Sequence, residues 1–336
     1  MAFQQSNYRR IREEYETKYL RAREDADRRR REVELQLPVI AEIHRRLSSV
    51  GLEIMRVSLE TADENEREAA MAELRRKNET LLAEKARILV EAGYPSDYAD
   101  LRYECDKCSD TGFLDNGAMC SCMREKLVTA GYESSGLGAL LSKQSFDNYS
   151  LDYFRTDEKT YRTMSTVVRT LRDYAENFSV EHADRMTAGG NLLLVGGTGL
   201  GKTHLSTAVA KAVLDRGFDV LYTGATGMVA AFENARFGSS IGMTDTNDID
   251  RFYSCDLLII DDLGTEVSNQ FTTSSIYNVI NTRLNLRRPT IISTNLMQDE
   301  LRRRYWDRIT SRLFGEYQIL LFLGKDVRAQ KILSGK

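Results

Sequence analysis

Several features are missing from this sequence of 336 residues, and each absence excludes a class of protein. The chain starts with polar residues and arginines rather than an apolar segment, so we expect no secretory signal. No apolar run approaches the roughly 20 residues that span a bilayer, so we expect a cytoplasmic protein with no membrane contact. The formal net charge of -3 neither favours nor excludes nucleic acid as a partner.

The most informative stretch that is present is a glycine-rich loop. It lies between an apolar run, 191–195, and an amphipathic segment that begins at His204. A strand, a glycine loop and a helix in this order form the context of a phosphate-binding loop. The loop consists of Gly196, Gly197, Thr198, Gly199, Leu200, Gly201, Lys202 and Thr203.

These residue types suit a triphosphate. The glycines let successive backbone N–H groups converge on phosphate oxygens at the positive end of a helix. Lys202 would add a full charge at the β- and γ-phosphates, and the Thr203 hydroxyl would ligate Mg²⁺. A simple glycine turn is the alternative, but all fixed positions of the motif are present. The sequence therefore predicts binding of a nucleoside triphosphate.

Polar side chains end two later apolar strands. The strand 257–260 is followed by Asp261, which would hold Mg²⁺ with Thr203, and by Asp262, which would act as general base on the attacking water. Asn295 ends the strand 290–294 and would hydrogen-bond the γ-phosphate or position the lytic water. Asn is also a common turn residue, so this role stays open on the residue type alone.

Three arginines are further candidates. Arg308 and Arg312 are four residues apart and so share one face of a helix, from which a guanidinium could neutralise charge on a neighbouring subunit's γ-phosphate. Arg328 could reach the nucleotide from the C-terminal side. For all three, a surface role remains the alternative, because the neighbouring chain is rich in arginine.

Four of the five cysteines form two close pairs, and in a cytosolic protein they are expected to be thiols or metal ligands. Two pairs separated by a short loop predict a closed, structural Zn²⁺ site with four thiolates. The second pair has one intervening residue rather than the commoner two, and redox-active thiols are the alternative. The predicted ligands are Cys105, Cys108, Cys120 and Cys122. Cys255 stands alone at an apolar strand and is expected in the core.

The first hundred residues indicate an all-α arm. Apolar residues recur at helical spacing, Pro38 suits the first turn of a second helix, and Gly51 is expected to break it. The apolar stripe is too narrow for a self-sufficient core, so we interpret 1–100 as a helical hairpin or short coiled coil that docks on a partner protein. The arginines Arg28–Arg31 fit a solvated face better than a nucleic-acid contact.

The remaining chain predicts an α/β domain. A zinc module would occupy 101–130, and a linker 131–156 would precede the nucleotide-binding domain 157–336. In that domain near-continuous apolar strands alternate with helices, which is typical of a parallel sheet between helices. The aromatic residues just before it fit either the wall of an adenine pocket or edge packing: Phe146, Tyr149, Tyr153 and Phe154.

The motifs together resemble a known family. The loop 196–203 followed by His204, the acids Asp261 and Asp262, and Asn295 are similar to the AAA+ ATPases of the DnaC/DnaI type, which load bacterial replicative helicases and share the IstB-like ATP-binding superfamily. The likeness covers about 146–328, and the cysteine module resembles the zinc-containing region of DnaI-like members.

The resemblance implies an AAA+ fold and ATP with Mg²⁺ as ligands. It implies a hexameric replicative helicase bound through the N-terminal part, single-stranded DNA, and self-association through AAA+ interfaces. It assigns Arg312 as the arginine finger, with Arg308 as second choice, and Arg328 as a second sensor of the nucleotide. One departure is Asp262, where Glu is commoner in AAA+ proteins at large. The segment 236–253, which faces DNA in relatives, is not basic here.

Functions other than helicase loading are also compatible with some of these motifs. A GTPase is disfavoured because the Asn-Lys-x-Asp motif is absent, and a kinase because no lid for an acceptor substrate is evident. An IstB-type transposition helper would share nearly the same motor. A nucleotide-gated adaptor without turnover is a third hypothesis. The residues that argue against it are intact: Lys202, Asp261, Asp262 and Asn295.

Overall fold

The computed structural model describes residues 3–60, 63–138, 140–155, 157–237, 246–305 and 307–333. Contacts divide the chain into two compact units, one of Met1–Ile11 with Met123–Lys336 and the other of Arg12–Cys122. Among the described helices, none is long and apolar enough to cross a membrane. The predicted limits at 100, 130 and 156 stay predictions.

The described elements alternate as an α/β protein does. The first helices are α1 (Gln5–Gln36), α2 (Pro38–Glu60), α3 (Glu64–Glu91), α4 (Ser121–Ser134), α5 (Leu140–Lys143) and α6 (Glu158–Glu176). There follow β1 (Leu192–Val195), α7 (Lys202–Asp215), β2 (Val220–Gly224), α8 (Ala225–Phe237), α9 (Thr246–Ser254) and β3 (Leu257–Leu263). The chain continues with α10 (Gln270–Asn285), β4 (Thr290–Thr294), α11 (Gln298–Arg304), α12 (Asp307–Glu316), β5 (Gln318–Leu321) and α13 (Val327–Leu333).

The unit Arg12–Cys122 holds most of the helical arm and the cysteines. Its apolar core lies mainly between α2 and α3, and each buried residue of this core is 7% exposed or less. These residues are Val33, Ile40, Ile43, Val50, Leu74, Leu81 and Leu89. Pro38 is the first residue of α2, as predicted. The expected break at Gly51 is wrong, since α2 runs through it. A helical glycine costs only about 1 kcal/mol, and burial of the residues around it against α3 outweighs that cost.

The larger unit is built on a five-stranded parallel sheet in the order β2-β3-β4-β1-β5. Because β4 lies between β1 and β3, the segments that follow these three strands meet at one edge of the sheet. All strands that the sequence predicted are present, and β4 has the predicted limits.

Alternate strand residues face two separate cores, which is why most strand residues are apolar. Leu192 and Leu194 join one core with α6 and α7, whereas Leu193 and Val195 join the other with α8, α10 and α12. Helices therefore pack on both faces of the sheet, and the loops at its carboxyl edge line the cleft described below. Asp157 caps α6 by accepting a hydrogen bond from the Thr160 N–H.

Candidate functional site

The glycine loop leaves β1 and turns into the N-terminus of α7, which begins at Lys202. Gly201 has φ of 88°, in the left-handed region, and a Cβ there would lie 2.6 Å from Cε2 of Tyr149. A Cβ on Gly199 would collide with the carboxylate of Asp326. The loop therefore needs glycine at both positions, and its backbone forms the open cradle at a helix N-terminus that suits phosphate.

Lys202 lies at the floor of this cradle and is 5% exposed. Its Nζ donates hydrogen bonds to the carbonyl oxygens of Gly196 and Gly197, at 2.7 and 2.8 Å, and to Oδ1 of Asn295 at 2.5 Å. Burial lowers the pKa of Lys202, while the nearby carboxylates of Asp262 and Asp261 oppose that effect. The contact with Asn295 shows that this amide lies next to the lysine that is predicted to bind phosphate.

Asp261 is buried at the end of β3 and accepts three hydrogen bonds. Oδ2 accepts from the Thr203 hydroxyl at 2.9 Å and from the Tyr222 hydroxyl at 2.7 Å, and Oδ1 accepts from the Ser293 hydroxyl at 2.5 Å. The two residues predicted to hold Mg²⁺, Thr203 and Asp261, are thus in direct contact. Hydroxyl and carboxylate oxygens are the ligands that Mg²⁺ prefers, so this pair fits the ion.

Asp262 adopts φ of 54°, which is uncommon for a residue with a side chain. Its N–H donates to the Ser293 hydroxyl at 2.9 Å, and its Oδ1 accepts from Nδ2 of Asn295 at 3.4 Å. Burial, helped by the charge of Asp261, raises the pKa of Asp262. A carboxylate with a raised pKa beside a phosphate cradle suits a general base.

The cradle opens into a cleft of about 380 Å³. Asp262, Asn295 and Arg328 line it, so the position of Arg328 agrees with the predicted approach from the C-terminal side. His204 also lines the cleft, and its Nε2 lies 2.9 Å from the Ser145 carbonyl.

Aromatic side chains form another part of the cleft. Tyr149, Tyr153 and Phe154 line it, which fits the wall of a base pocket. Phe146 instead stacks against Arg172, whose guanidinium carbon lies 5.0 Å from the ring centre. The predicted aromatic cluster is therefore divided between the cleft and edge packing.

Neither helical arginine lines this cleft. Arg308 is exposed on α12. Arg312 lies 5.8 Å from the ring centre of Tyr277 and lines a separate cavity with Glu316. A residue that acts on a neighbouring subunit would lie away from its own nucleotide site, so this placement leaves the prediction for both arginines open.

The four paired cysteines come together in the unit Arg12–Cys122, with all Sγ atoms within 4.8 Å of one another. Sγ of Cys105 lies 3.9 Å from that of Cys120, and Sγ of Cys108 lies 3.6 Å from that of Cys122. These distances are far longer than a disulfide. They are close to the edge of about 3.8 Å of a tetrahedron with Zn–S bonds of about 2.3 Å.

Charge also favours a metal at this cluster. Backbone hydrogen bonds lower the pKa of Cys105 to about 7, whereas burial raises that of Cys108 to about 12 and also raises that of Cys122. A bound cation would favour the thiolate form of all four cysteines. The buried carboxylate of Asp110 accepts hydrogen bonds from the N–H groups of Glu104 and Cys105, at 2.8 and 2.9 Å. These bonds fix the backbone at Cys105, the first predicted ligand. The donor set therefore fits Zn²⁺. Cys255 is buried in the core of the other unit, as expected.

Two residues of the site were not found from the sequence. Tyr222 and Ser293 both donate to Asp261, yet each lies inside an apolar strand that the sequence marks only as core. Ser293 is a polar residue in a buried strand directly before Thr294 and Asn295, and this was the available signal. Tyr222 gave none, because tyrosine is common in strands.

Comparison with known proteins agrees with this geometry. The model of the IstB-like ATP binding protein family matches residues 150–313. A solved DnaC helicase loader aligns with TM-score 0.47 and 21% identity, over 55% of this chain and 100% of that one. The replicative helicase loader DnaC of Escherichia coli K12 is 25% identical over 182 residues, which are 54% of this chain and 67% of that protein.

An insertion-sequence ATP-binding protein of Sinorhizobium fredii is 34% identical over 124 residues, which are 37% of this chain and 38% of that protein. Both relatives align with only part of this chain, and the family model matches the part that contains the cleft. Residues 150–313 are therefore similar to the IstB-like ATP-binding proteins and to the DnaC helicase loaders, which confirms the resemblance that the motifs predicted.

Proposed function

We propose that this protein hydrolyses ATP and uses the cycle to load a replicative hexameric helicase onto single-stranded DNA. The observation that carries the proposal is the meeting of Lys202, Thr203, Asp261, Asp262 and Asn295 at the carboxyl edge of one sheet. A protein that only bound nucleotide would not need a half-buried second acid in contact with an amide beside the phosphate cradle.

Each of these residues of the cleft would have a distinct role in ATP binding and hydrolysis. The loop N–H groups and Lys202 would bind the β- and γ-phosphates, with Lys202 exchanging its carbonyl partners for phosphate oxygens. Thr203 and Asp261 would hold Mg²⁺, which neutralises phosphate charge when bound. Asp262 would take the proton of the attacking water while Asn295 orients that water.

Self-association through AAA+ interfaces would complete the site. Both α12 arginines lie outside the cleft of their own chain, so they are available to a neighbour's nucleotide. Arg308 is the more exposed of the two, and Arg312 is the residue that the family resemblance assigns. Engagement of single-stranded DNA rests on the resemblance alone, and residues 238–245 of the segment that faces DNA in relatives lie outside the described residues.

The helical arm would dock on the helicase, with the zinc site as a structural clip. On α2, the side opposite its buried face carries an apolar stripe, Leu52, Met55 and Leu59, which are 69%, 60% and 80% exposed. The spacing places these three side chains on one face, in the pattern by which an amphipathic helix enters a groove. We name this surface the α2 stripe.

The test is capture of the host's purified replicative helicase by the full-length protein. Capture is expected to be lost when the three residues of the α2 stripe are changed to Asp together. Val39→Asp is the matched control, because Val39 is 55% exposed on α2 but lies off the stripe. No capture by the unsubstituted protein would contradict the loader function, and equal capture by the triple variant would contradict the role of the stripe.

A transposition helper is the second candidate, and the Sinorhizobium fredii relative favours it, since it has the higher identity of the two relatives described above. The arm and the cysteine cluster favour the loader, because they lie outside the shared motor. Presenting the protein with both the helicase and the transposase of a neighbouring insertion sequence separates the two functions. Preferential capture of the transposase would support the helper.

A further inference from the structure

Tyr222 connects the sheet edge to the acid that is predicted to hold Mg²⁺. It lies on β2, is 7% exposed, and pairs with Ile259 of β3. Two residues further on, Gly224 pairs with Asp261, so this register places the Tyr222 side chain close to that carboxylate. Its hydroxyl donates to Oδ2 of Asp261 at 2.7 Å, the oxygen that also accepts from Thr203.

The three hydroxyl groups that donate to Asp261 would not all keep their hydrogen bonds once Mg²⁺ binds. The Thr203 hydroxyl is a predicted ligand and must turn its oxygen toward the ion. Ser293 holds Oδ1, whereas Tyr222 is the remaining donor to Oδ2. Without Tyr222, the oxygen nearest Thr203 would keep no donor of its own when the ion arrives, and the carboxylate would be free to turn about its last bond.

The backbone of Tyr222 is fixed as firmly as its side chain. Its N–H donates to the carbonyl of Ser135 at 2.7 Å, so the segment after α4 covers the outer edge of β2. Gly136 follows with φ of 81°, and a Cβ there would collide with the Tyr222 carbonyl oxygen.

We propose that Tyr222 is a positioning residue for Mg²⁺, which holds Asp261 in the orientation that the ion requires before the nucleotide arrives. The inference rests on the proposed binding of ATP with Mg²⁺. It adds a residue of this chain that is neither a ligand of the ion nor a contact of the phosphates. Removing its hydroxyl weakens the contribution of Mg²⁺ to nucleotide affinity and leaves the contribution of the loop intact.

The experiment measures affinity for a fluorescent ATP analogue in the full-length protein, at increasing Mg²⁺ and separately in EDTA. For Tyr222→Phe, the Mg²⁺ concentration giving half of the maximal affinity gain is expected to rise about tenfold, the effect of one lost hydrogen bond to a charged group. Affinity in EDTA is expected to stay within about twofold of wild type. Tyr174→Phe is the matched control, because its buried hydroxyl donates to the Gly190 carbonyl at 2.8 Å, at the opposite end of β1.

An unchanged Mg²⁺ dependence in Tyr222→Phe would overturn the inference, as would an equal loss of affinity in EDTA, which would indicate a merely structural role. Should that variant fail to fold, Ser293→Ala removes the other fixed donor to Asp261 and is expected to give the same selective loss. An unchanged Mg²⁺ dependence in Ser293→Ala would also overturn the inference. No nucleotide binding by the wild-type protein would be a different failure, since it overturns the proposed function itself.

Discussion

Replacing the buried Arg283 by methionine is expected to destabilise the nucleotide-binding unit severely. Arg283 lies on α10 and is 0% exposed. Its guanidinium donates to the carbonyl oxygens of Phe252, Tyr253, Cys255 and Pro289 at 2.7 to 3.2 Å. The first two carbonyls belong to the last turn of α9, so one side chain caps that helix just before β3, the strand that carries the site acids.

The expected loss in the free energy of unfolding follows from the carbonyl oxygens that Arg283→Met leaves without a donor. Methionine has a similar length but donates nothing, and each buried carbonyl left without a donor costs about 1 to 3 kcal/mol. The Pro289 carbonyl keeps a donor, the Leu258 N–H at 3.3 Å. The other three carbonyls, at the low end of that range, give a loss of about 3 kcal/mol. This is a large share of the roughly 5 to 15 kcal/mol that stabilises a typical domain.

The assay is urea unfolding read by pulsed hydrogen exchange in the peptide that contains β3, because a protein of two units need not unfold in one step. Arg287→Met is the matched control, since Arg287 is exposed two residues after the end of α10 and its replacement is expected to change stability by less than about 0.5 kcal/mol. If the free energies of unfolding of Arg283→Met and Arg287→Met agreed within about 1 kcal/mol, the reasoning on orphaned carbonyls would be refuted.

Three further predictions concern the site and the metal. Asp262→Asn keeps the shape of the side chain but cannot accept a proton, so ATP turnover should fall about 10²- to 10⁴-fold with nucleotide binding retained; unchanged turnover in a steady-state assay would remove Asp262 from its role. Gly201→Ala forces a side chain against Tyr149 at positive φ, so affinity for ATP should fall at least about tenfold by calorimetry, and wild-type affinity would contradict the cradle. Elemental analysis of gently purified protein should find about one zinc per chain, and strong chelation should lower the melting temperature of the helical arm; neither is expected if the cysteines are redox thiols.

Much of the site could be predicted from the sequence because its signals are local. The phosphate loop is one contiguous motif, Asp261 and Asp262 directly follow the apolar run 257–260, and Asn295 directly follows β4. Parallel strands then bring these ends to one edge of the sheet, so adjacency in space follows from topology rather than from any single residue.

The remainder depends on strand register and on contacts between distant elements. Tyr222 reaches Asp261 only because β2 pairs with β3 in one particular register, which one sequence does not encode visibly. Arg283 looks like an ordinary helical arginine until the fold surrounds it with carbonyls. The predicted helix break at Gly51 is wrong for the opposite reason. The low helix propensity of glycine is a local effect, and packing between α2 and α3 outweighs it.

The central claim is that the loop around Lys202 binds a triphosphate, and calorimetric titration of ATP with Mg²⁺ into the full-length protein tests it most directly. The account predicts saturable binding that weakens about 10- to 100-fold in Lys202→Ala, because the variant loses charge-assisted hydrogen bonds to phosphate. No binding by the wild-type protein, or equal binding by Lys202→Ala, would contradict the account.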